Sequence, residues 1–200
     1  MQGYILAGGL SSRMGRDKNA LMLGQSAFID RASDAMSAIG DEGVVIVGGT
    51  AGGSHGLAVI ADSPPAFATS YGGAIIGLFT ALTVADSDWV AVLACDLPFV
   101  TGEFLNGLAG LDRSGFDAVV PVQQDGIPQP LCALYRCETC LPAVLKSIGS
   151  KNLSLRSMLR QVRTRFVDLT EINGRDDCEK LFLNVNTPQD YQQALLLAGA

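Results

Sequence analysis

Two runs in this chain, Val44-Val45-Ile46-Val47 and Val90-Ala91-Val92-Leu93, are apolar at every position. A strand with one face in water alternates between apolar and polar residues. An unbroken apolar run suits a strand covered on both faces, as in a parallel sheet sandwiched between helices. Further runs bounded by turn residues predict strands at about 3–7, 57–61, 117–122, 130–135 and 181–185, with the two above falling at 43–48 and 89–95. Helical patterns lie between them at about 26–39, 74–85, 101–111, 138–147, 153–162 and 188–198. The last opens on Asn186-Thr187-Pro188, with Thr187 suited to an N-cap and proline to the first helical position. This alternation predicts an α/β fold with a mostly parallel sheet and ligands at the carboxyl ends of its strands. No repeat, charge run or linker divides the 200 residues, so a single domain is expected over 1–200.

Hydrophobic residues make up 48% of the chain and charged residues 17%, a balance that excludes disorder. The net charge of −6 argues against a general nucleic-acid surface. If such a chain handles phosphates, its positive charge must be concentrated locally. Residues 66–85 carry no charge, but Thr69, Ser70, Gly72, Gly73 and Thr80 dilute their apolarity, and Asp62, Asp86 and Asp88 flank them. A loop leading into a buried helix is therefore expected, and no membrane span. The first residues lack a basic segment of the secretory kind, and the five cysteines are odd in number. Both features predict reduced thiols and a cytoplasmic protein. Cys137 and Cys140 form one CxxC without a second ligand pair, so neither a zinc nor a redox role is expected.

The first strand runs into Leu6-Ala7-Gly8-Gly9-Leu10-Ser11-Ser12-Arg13-Met14-Gly15-Arg16-Asp17-Lys18. Paired glycines let backbone N–H groups approach a ligand closely and form an anion nest. Arg13, Arg16 and Lys18 supply the concentrated positive charge: arginine can grip a phosphate bidentately and lysine acts as a mobile point charge. The loop matches neither G-x-x-x-x-G-K-[ST] nor G-x-G-x-x-G, which argues against P-loop and dinucleotide sites. The plain alternative is a flexible basic turn, since paired glycines after a strand are common.

Asp96, in Cys95-Asp96-Leu97-Pro98-Phe99, stands at the end of a buried strand. A carboxylate there suits Mg²⁺, which takes few protein ligands and completes its shell with water and substrate phosphates. The plain alternative is a turn aspartate. Asp62 closes another strand before Pro64-Pro65. In Leu183-Asn184-Val185-Asn186, strand alternation would put both amides on one face and Val185 on the other. Amide oxygens can complete a metal shell or grip a substrate. Gly52-Gly53-Ser54-His55-Gly56 fits the G-x-S-x-G of hydrolases, but a strand rather than a helix comes after it. The chain's one histidine, His55, adjoins the serine and is badly placed as its base.

Taken together, Leu6-Ala7-Gly8-Gly9, Ser12-Arg13-Met14-Gly15 and Asp17-Lys18 resemble the signature of the sugar-nucleotidyltransferase superfamily, and most closely the molybdenum cofactor guanylyltransferases. The resemblance continues in order through Asp62, Asp96, Gln129-Pro130-Leu131, Ser154-Leu155-Arg156 and Asn184 to Pro188. It implies a Rossmann-like three-layer domain, with a nucleotide half over about 1–125 and an acceptor half over about 126–200. It assigns Leu6, Ala7, Gly8 and Gly9 to the guanine nucleotide, Arg13 and Lys18 to its triphosphate, and Asp96 to Mg²⁺ and the nucleotide. Asp62 is a further nucleotide contact. Gly73 and Gly77 stand in the element associated with the guanine side, where Ala74 and Ile76 replace the family's proline and alanine. Gly48 takes the place of a nucleotide-contacting asparagine. Gln129, Arg156, Asn184 and Asn186 fall to the acceptor.

The implied reaction is attack by the terminal phosphate of molybdopterin on the α-phosphorus of GTP, with release of pyrophosphate. Proteins that carry or receive the molybdenum cofactor are the implied partners. The resemblance leaves two alternatives: a relative that uses CTP or another phosphorylated acceptor, and a non-catalytic nucleotide-binding protein that delivers cofactor.

Overall fold

The computed structural model describes residues 1–8, 18–49, 56–173 and 180–199, with the backbone alone at Lys18 and Asn173. The chain opens with β1 (Gln2–Leu6), followed after a 3-10 turn at Lys18–Ala20 by a small hairpin, β2 (Met22–Leu23) and β3 (Ser26–Ala27). Helix α1 (Phe28–Ser37), β4 (Val44–Val47), β5 (Ala58–Ile60), α2 (Ala74–Val84) and β6 (Trp89–Ala94) complete the first half. Then come α3 (Gly102–Ala109), β7 (Ala118–Val122), β8 (Cys132–Arg136), α4 (Cys137–Gly149), α5 (Leu155–Leu159), β9 (Thr164–Asp168), α6 (Leu169–Asn173) and α7 (Pro188–Ala198).

Seven strands form one sheet in the order β5-β4-β1-β6-β8-β7-β9. Every neighbouring pair is parallel except the two that involve β8, which runs against both β6 and β7. The sheet is therefore mostly parallel, as expected, and it continues across residue 125 without a break. Its two faces explain the unbroken apolar runs. Along β6, Ala91 and Leu93 enter one core with α1 and α3, while Val90 and Val92 enter the other with α2 and α4. Along β1, Ile5 faces the first core and Tyr4 and Leu6 the second. A methyl group added to Gly3 would lie 2.5 Å from Met36 Cγ, so glycine here lets α1 settle onto the sheet.

The uncharged stretch 66–85 is a 3-10 turn at Ala66–Ala68 and the buried helix α2, as expected. Among the described residues no helix is long and apolar enough to cross a membrane. The N-cap of α7 is also as expected: Thr187 Oγ1 accepts from the Asp190 N–H at 3.1 Å, and Asp190 Oδ2 accepts from the Thr187 N–H at 2.8 Å.

Three expectations are corrected, and one strand is added. The segment 181–185 is no strand; Leu181, Phe182 and Val185 bury their side chains in the α1–α3 core from an irregular backbone. Burial rather than a ladder makes that run apolar. The strand at this end of the chain is instead β9, whose five residues include one buried side chain, Val167, and a half-exposed Phe166. The helix expected from 26 begins at Phe28, because Ser26–Ala27 is held in the hairpin around Gly24, at φ +66°. The helix expected over 153–162 contracts to Leu155–Leu159, its N-cap Ser154 accepting from the Ser157 N–H.

At the amino edge of the sheet, Asp117 ties the starts of β7 and β9 together. Its carboxylate accepts from the Arg163 backbone N–H at 2.9 Å and from the guanidinium at 3.0 Å through both Nε and Nη2. Those guanidinium hydrogen bonds, working against burial, hold its carboxyl down at about 2. By linkage, a depressed carboxyl stabilises the fold above the ordinary value of 3.8 and loses that contribution as pH falls through about 2. Asp117→Asn is expected to destabilise by about 1–2 kcal/mol, the lower part of the range for lost charged hydrogen bonds because the guanidinium is largely in water. Thermal unfolding monitored from pH 7 to pH 2.5 checks this. A variant as acid-sensitive as the parent would contradict the role given to Asp117.

Candidate active site at the carboxyl edge of the sheet

Since β1, β4, β5 and β6 are mutually parallel, their carboxyl ends open on one edge. Antiparallel β8 begins at that same edge, with Cys132 opposite Leu93. The topology thus gathers Ala7-Gly8, Gly48-Gly49, Asp62, Asp96 and Gln129-Pro130-Leu131 on one rim, although they are far apart in sequence.

The exits of β1 and β4 touch backbone to backbone. Ala7 N–H donates to the Val47 carbonyl at 2.9 Å, and Gly48 N–H donates to the Ile60 carbonyl at 2.8 Å. Gly48 has φ +74°, and a Cβ built on it would stand 2.6 Å from Gly8 Cα and 2.7 Å from Gly8 N. The backbone contact leaves no room for a side chain, which gives a physical reason for glycine where the family resemblance anticipates asparagine. Asp62 closes the notch: its Oδ2 lies 2.7 Å from a Cβ placed on Gly8. Burial raises the Asp62 carboxyl above its ordinary value, so this carboxylate gains from a nearby cation or hydrogen-bond donor.

Asp96 sits in the turn after β6, half-buried. Cys95 N–H donates to the Leu6 carbonyl at 3.1 Å, which fixes the turn to the end of β1. The Asp96 carbonyl accepts from the Val185 N–H at 3.0 Å and so docks the loop before α7 beside it. Val185 is fully buried, while Asn184 and Asn186 point away from that core and join through Asn186 Nδ2 to Asn184 Oδ1 at 2.7 Å. The pairing of the two amides holds although their segment is not a strand. Gln129 is joined to the same rim: its N–H donates to the Pro121 carbonyl at 2.9 Å, and Ala94 N–H reaches the nearby Leu131 carbonyl at 2.7 Å.

The remaining positions divide. Gly73 is exposed with φ +90° and opens α2 without a side-chain cap. Gly77 is buried, and a Cβ on it would lie 3.2 Å from both methyls of Leu6. Leu6 and Gly77 thus meet each other in the core; their contribution is a close approach of α2 to β1. Arg156 is exposed on α5, whose apolar side joins the α2–α4 core, on the opposite face of the sheet from Val185. Gly9, Arg13 and Arg16 lie outside the described residues, as does the Lys18 side chain, and so do residues 52–55 of the G-x-S-x-G match. That match leads into β5, not into the helix that a nucleophile elbow requires. Burial pushes the Cys137 thiol up to about 11 and Cys140 up to about 12, which keeps both protonated and poorly nucleophilic at neutral pH.

Two residues that support the rim escaped the sequence reading. Asn19 is a buried amide whose Nδ2 donates to the Ala7 carbonyl at 3.1 Å. Tyr135, fully buried on β8, donates its hydroxyl to the Pro130 carbonyl and steadies the segment next to Gln129. Neither carries a periodic or motif signal that would single it out.

Comparison with known proteins identifies the family and the fold. Residues 3–166 match the MobA-like NTP transferase domain. The chain is 33% identical over 199 residues to a probable molybdenum cofactor guanylyltransferase of Pelotomaculum thermopropionicum, covering 98% of this chain and 92% of the relative. It is 26% identical over 193 residues to the molybdenum cofactor guanylyltransferase of Desulfosudis oleivorans, covering 96% and 93%. Its fold superposes on molybdopterin-guanine dinucleotide biosynthesis protein A from Archaeoglobus fulgidus with a TM-score of 0.81, at 23% identity and covering 100% and 99% of the two chains. That last likeness establishes the shared fold, and the first establishes the lineage. The chain belongs to the MobA-like NTP transferase family, and is a nucleotidyltransferase.

Proposed function

We propose that this protein transfers GMP from GTP to the terminal phosphate of molybdopterin, releasing pyrophosphate and forming the guanine dinucleotide form of the molybdenum cofactor. The observation that carries the reading is the convergence on one rim of a glycine notch with Asp62 on one side and Asp96 with the Asn184–Asn186 pair on the other. A two-sided rim suits a reaction that joins two phosphate-bearing substrates. The names of near full-length relatives supply the identity of those substrates.

The acceptor phosphate is already anionic at neutral pH, so no protein nucleophile is needed. Catalysis consists of in-line positioning and charge neutralisation. On the nucleotide side, Gly8 and Gly9 present backbone N–H groups, Asp62 accepts from the nucleotide, Gly48 lets the β4 exit close against Gly8, and Gly73 leaves the nucleotide room. Arg13 and Lys18 neutralise the triphosphate and then the departing pyrophosphate. On the other side, Gln129, Asn184 and Asn186 hold the acceptor.

The donor set suits Mg²⁺: Asp96 offers a hard carboxylate, and the segment carrying Asn184 and Asn186 is docked on its turn through the Val185 N–H. Among the described residues no group of three or more His, Cys, Asp or Glu forms a ready-made cage. Asp96 would hold this ion, which when bound would supply Lewis-acid stabilisation of the charge that develops on the phosphates. Cys95, Cys132, Cys137 and Cys140 are free thiols, which suits a reducing compartment, and we assign the enzyme to the cytoplasm. Proteins that carry or receive the cofactor would meet it there.

Asp62 gives a prediction with opposite signs. A carboxyl raised by burial weakens the fold as pH climbs above its ordinary value of 3.8, so Asp62→Asn is expected to leave thermal stability at pH 7 unchanged or higher. The same change is expected to raise KM for GTP by about tenfold through the lost acceptor. Melting curves together with initial rates check both. A less stable variant with unaltered KM would make Asp62 structural.

The reaction itself is tested with GTP labelled at the α- or the γ-phosphate. The α-label is expected to appear in a molybdopterin dinucleotide and the γ-label in pyrophosphate. Label from the γ-position in the acceptor would overturn the reading in favour of phosphoryl transfer.

A further inference from the structure

We infer that Asn19 is a positioning residue for the nucleotide loop, setting the direction in which the Gly8 N–H points; the inference rests on the reading of this rim as the nucleotide site. Asn19 lies in the 3-10 turn just beyond the opening loop and is only 7% exposed. A buried amide must be hydrogen-bonded, and Asn19 Nδ2 donates to the Ala7 carbonyl at 3.1 Å. The other end of Ala7 is held as well, because its N–H donates to the Val47 carbonyl at 2.9 Å.

The peptide between Ala7 and Gly8 is planar and trans, so its C=O and N–H point in opposite directions. Turning the carbonyl towards Asn19 therefore turns the Gly8 N–H away from it. That N–H is the first donor of the glycine turn. Without the amide, the Ala7–Gly8 peptide loses the contact that orients it, and glycine tolerates the change of φ that accompanies a turn of its plane.

The neighbouring loop is shaped to admit this amide. Gly49 has φ +74°, and a Cβ there would stand 2.9 Å from Asn19 Nδ2 and 3.1 Å from the Ala7 Cβ. Asn19 thus bridges the exits of β1 and β4, the two strands whose loops form the notch. It also stands next to Lys18, in the same 3-10 turn.

The test uses Asn19→Asp, which keeps the shape but sets oxygens against the Ala7 carbonyl, and the milder Asn19→Ser. GTP affinity is measured by calorimetry on the full chain, with KM for GTP and for molybdopterin and the thermal midpoint alongside. Asn19→Asp is expected to weaken GTP binding by about tenfold or more and raise KM for GTP in step, with Asn19→Ser intermediate and KM for molybdopterin unchanged. GTP binding unaltered in both folded variants would overturn the inference alone. An equal rise in both KM values, or weakened binding seen only where folded protein is lost, would also overturn it, because the amide then supports the fold and not the loop. If the unaltered protein binds no GTP, the functional reading falls with it.

Discussion

Asp96→Asn is expected to lower kcat/KM for pyrophosphate release by about a thousandfold, roughly 4 kcal/mol of transition-state stabilisation, while the protein stays folded. The substitution preserves the size of the side chain. The contacts that anchor its turn are made by the main chain, from Cys95 N–H to the Leu6 carbonyl and from Val185 N–H to the Asp96 carbonyl. On the proposed reading, the substitution removes the charge that would hold a hard cation against the phosphates. The loss should fall mainly on kcat, and excess Mg²⁺ should restore little of it. Near-normal turnover in a folded variant would remove Asp96 from the catalytic machinery.

Gly48→Ala is expected to have the second largest effect, raising KM for GTP by about thirtyfold, or ~2 kcal/mol. Two costs coincide at this position. Its φ of +74° strains any residue with a Cβ, and that Cβ would meet Gly8 Cα at 2.6 Å. Both neighbours are backbone, so the notch must open for the methyl to fit. A thermal midpoint lower by about 4–8 °C should accompany the weaker binding, given the size of the chain. Gly24→Ala is the control for strain alone, since its φ is +66° and nothing lies within 4 Å of its added Cβ. It should lose stability and keep its KM; an equal KM rise in both variants would contradict the notch.

The sequence made the layers of this fold legible because β4 and β6 are buried on both faces, and such runs are rarely anything else. It was silent on the direction of β8, since an apolar pattern reads the same in a parallel as in an antiparallel strand. Yet the reversal of β8 is what brings Gln129 to the rim. Strand β9 escaped notice because an edge strand with one buried side chain has almost no pattern, and 181–185 misled because irregular backbone can bury leucine and phenylalanine as well as a strand can. Within the site, the motif residues Gly8, Asp62, Asp96, Asn184 and Asn186 were readable as chemistry. Asn19 was not: its place depends on Gly49, thirty residues away, leaving room for an amide.

The central claim is that this rim joins a guanine nucleotide to a phosphorylated acceptor. The most direct measurement is pyrophosphate release by the unaltered protein with GTP, CTP or ATP, each with and without molybdopterin. Release with GTP that requires molybdopterin, and far exceeds that with CTP or ATP, is the predicted result. Tight GTP binding with no pyrophosphate released in the presence of a competent acceptor would contradict it, and so would a clear preference for CTP.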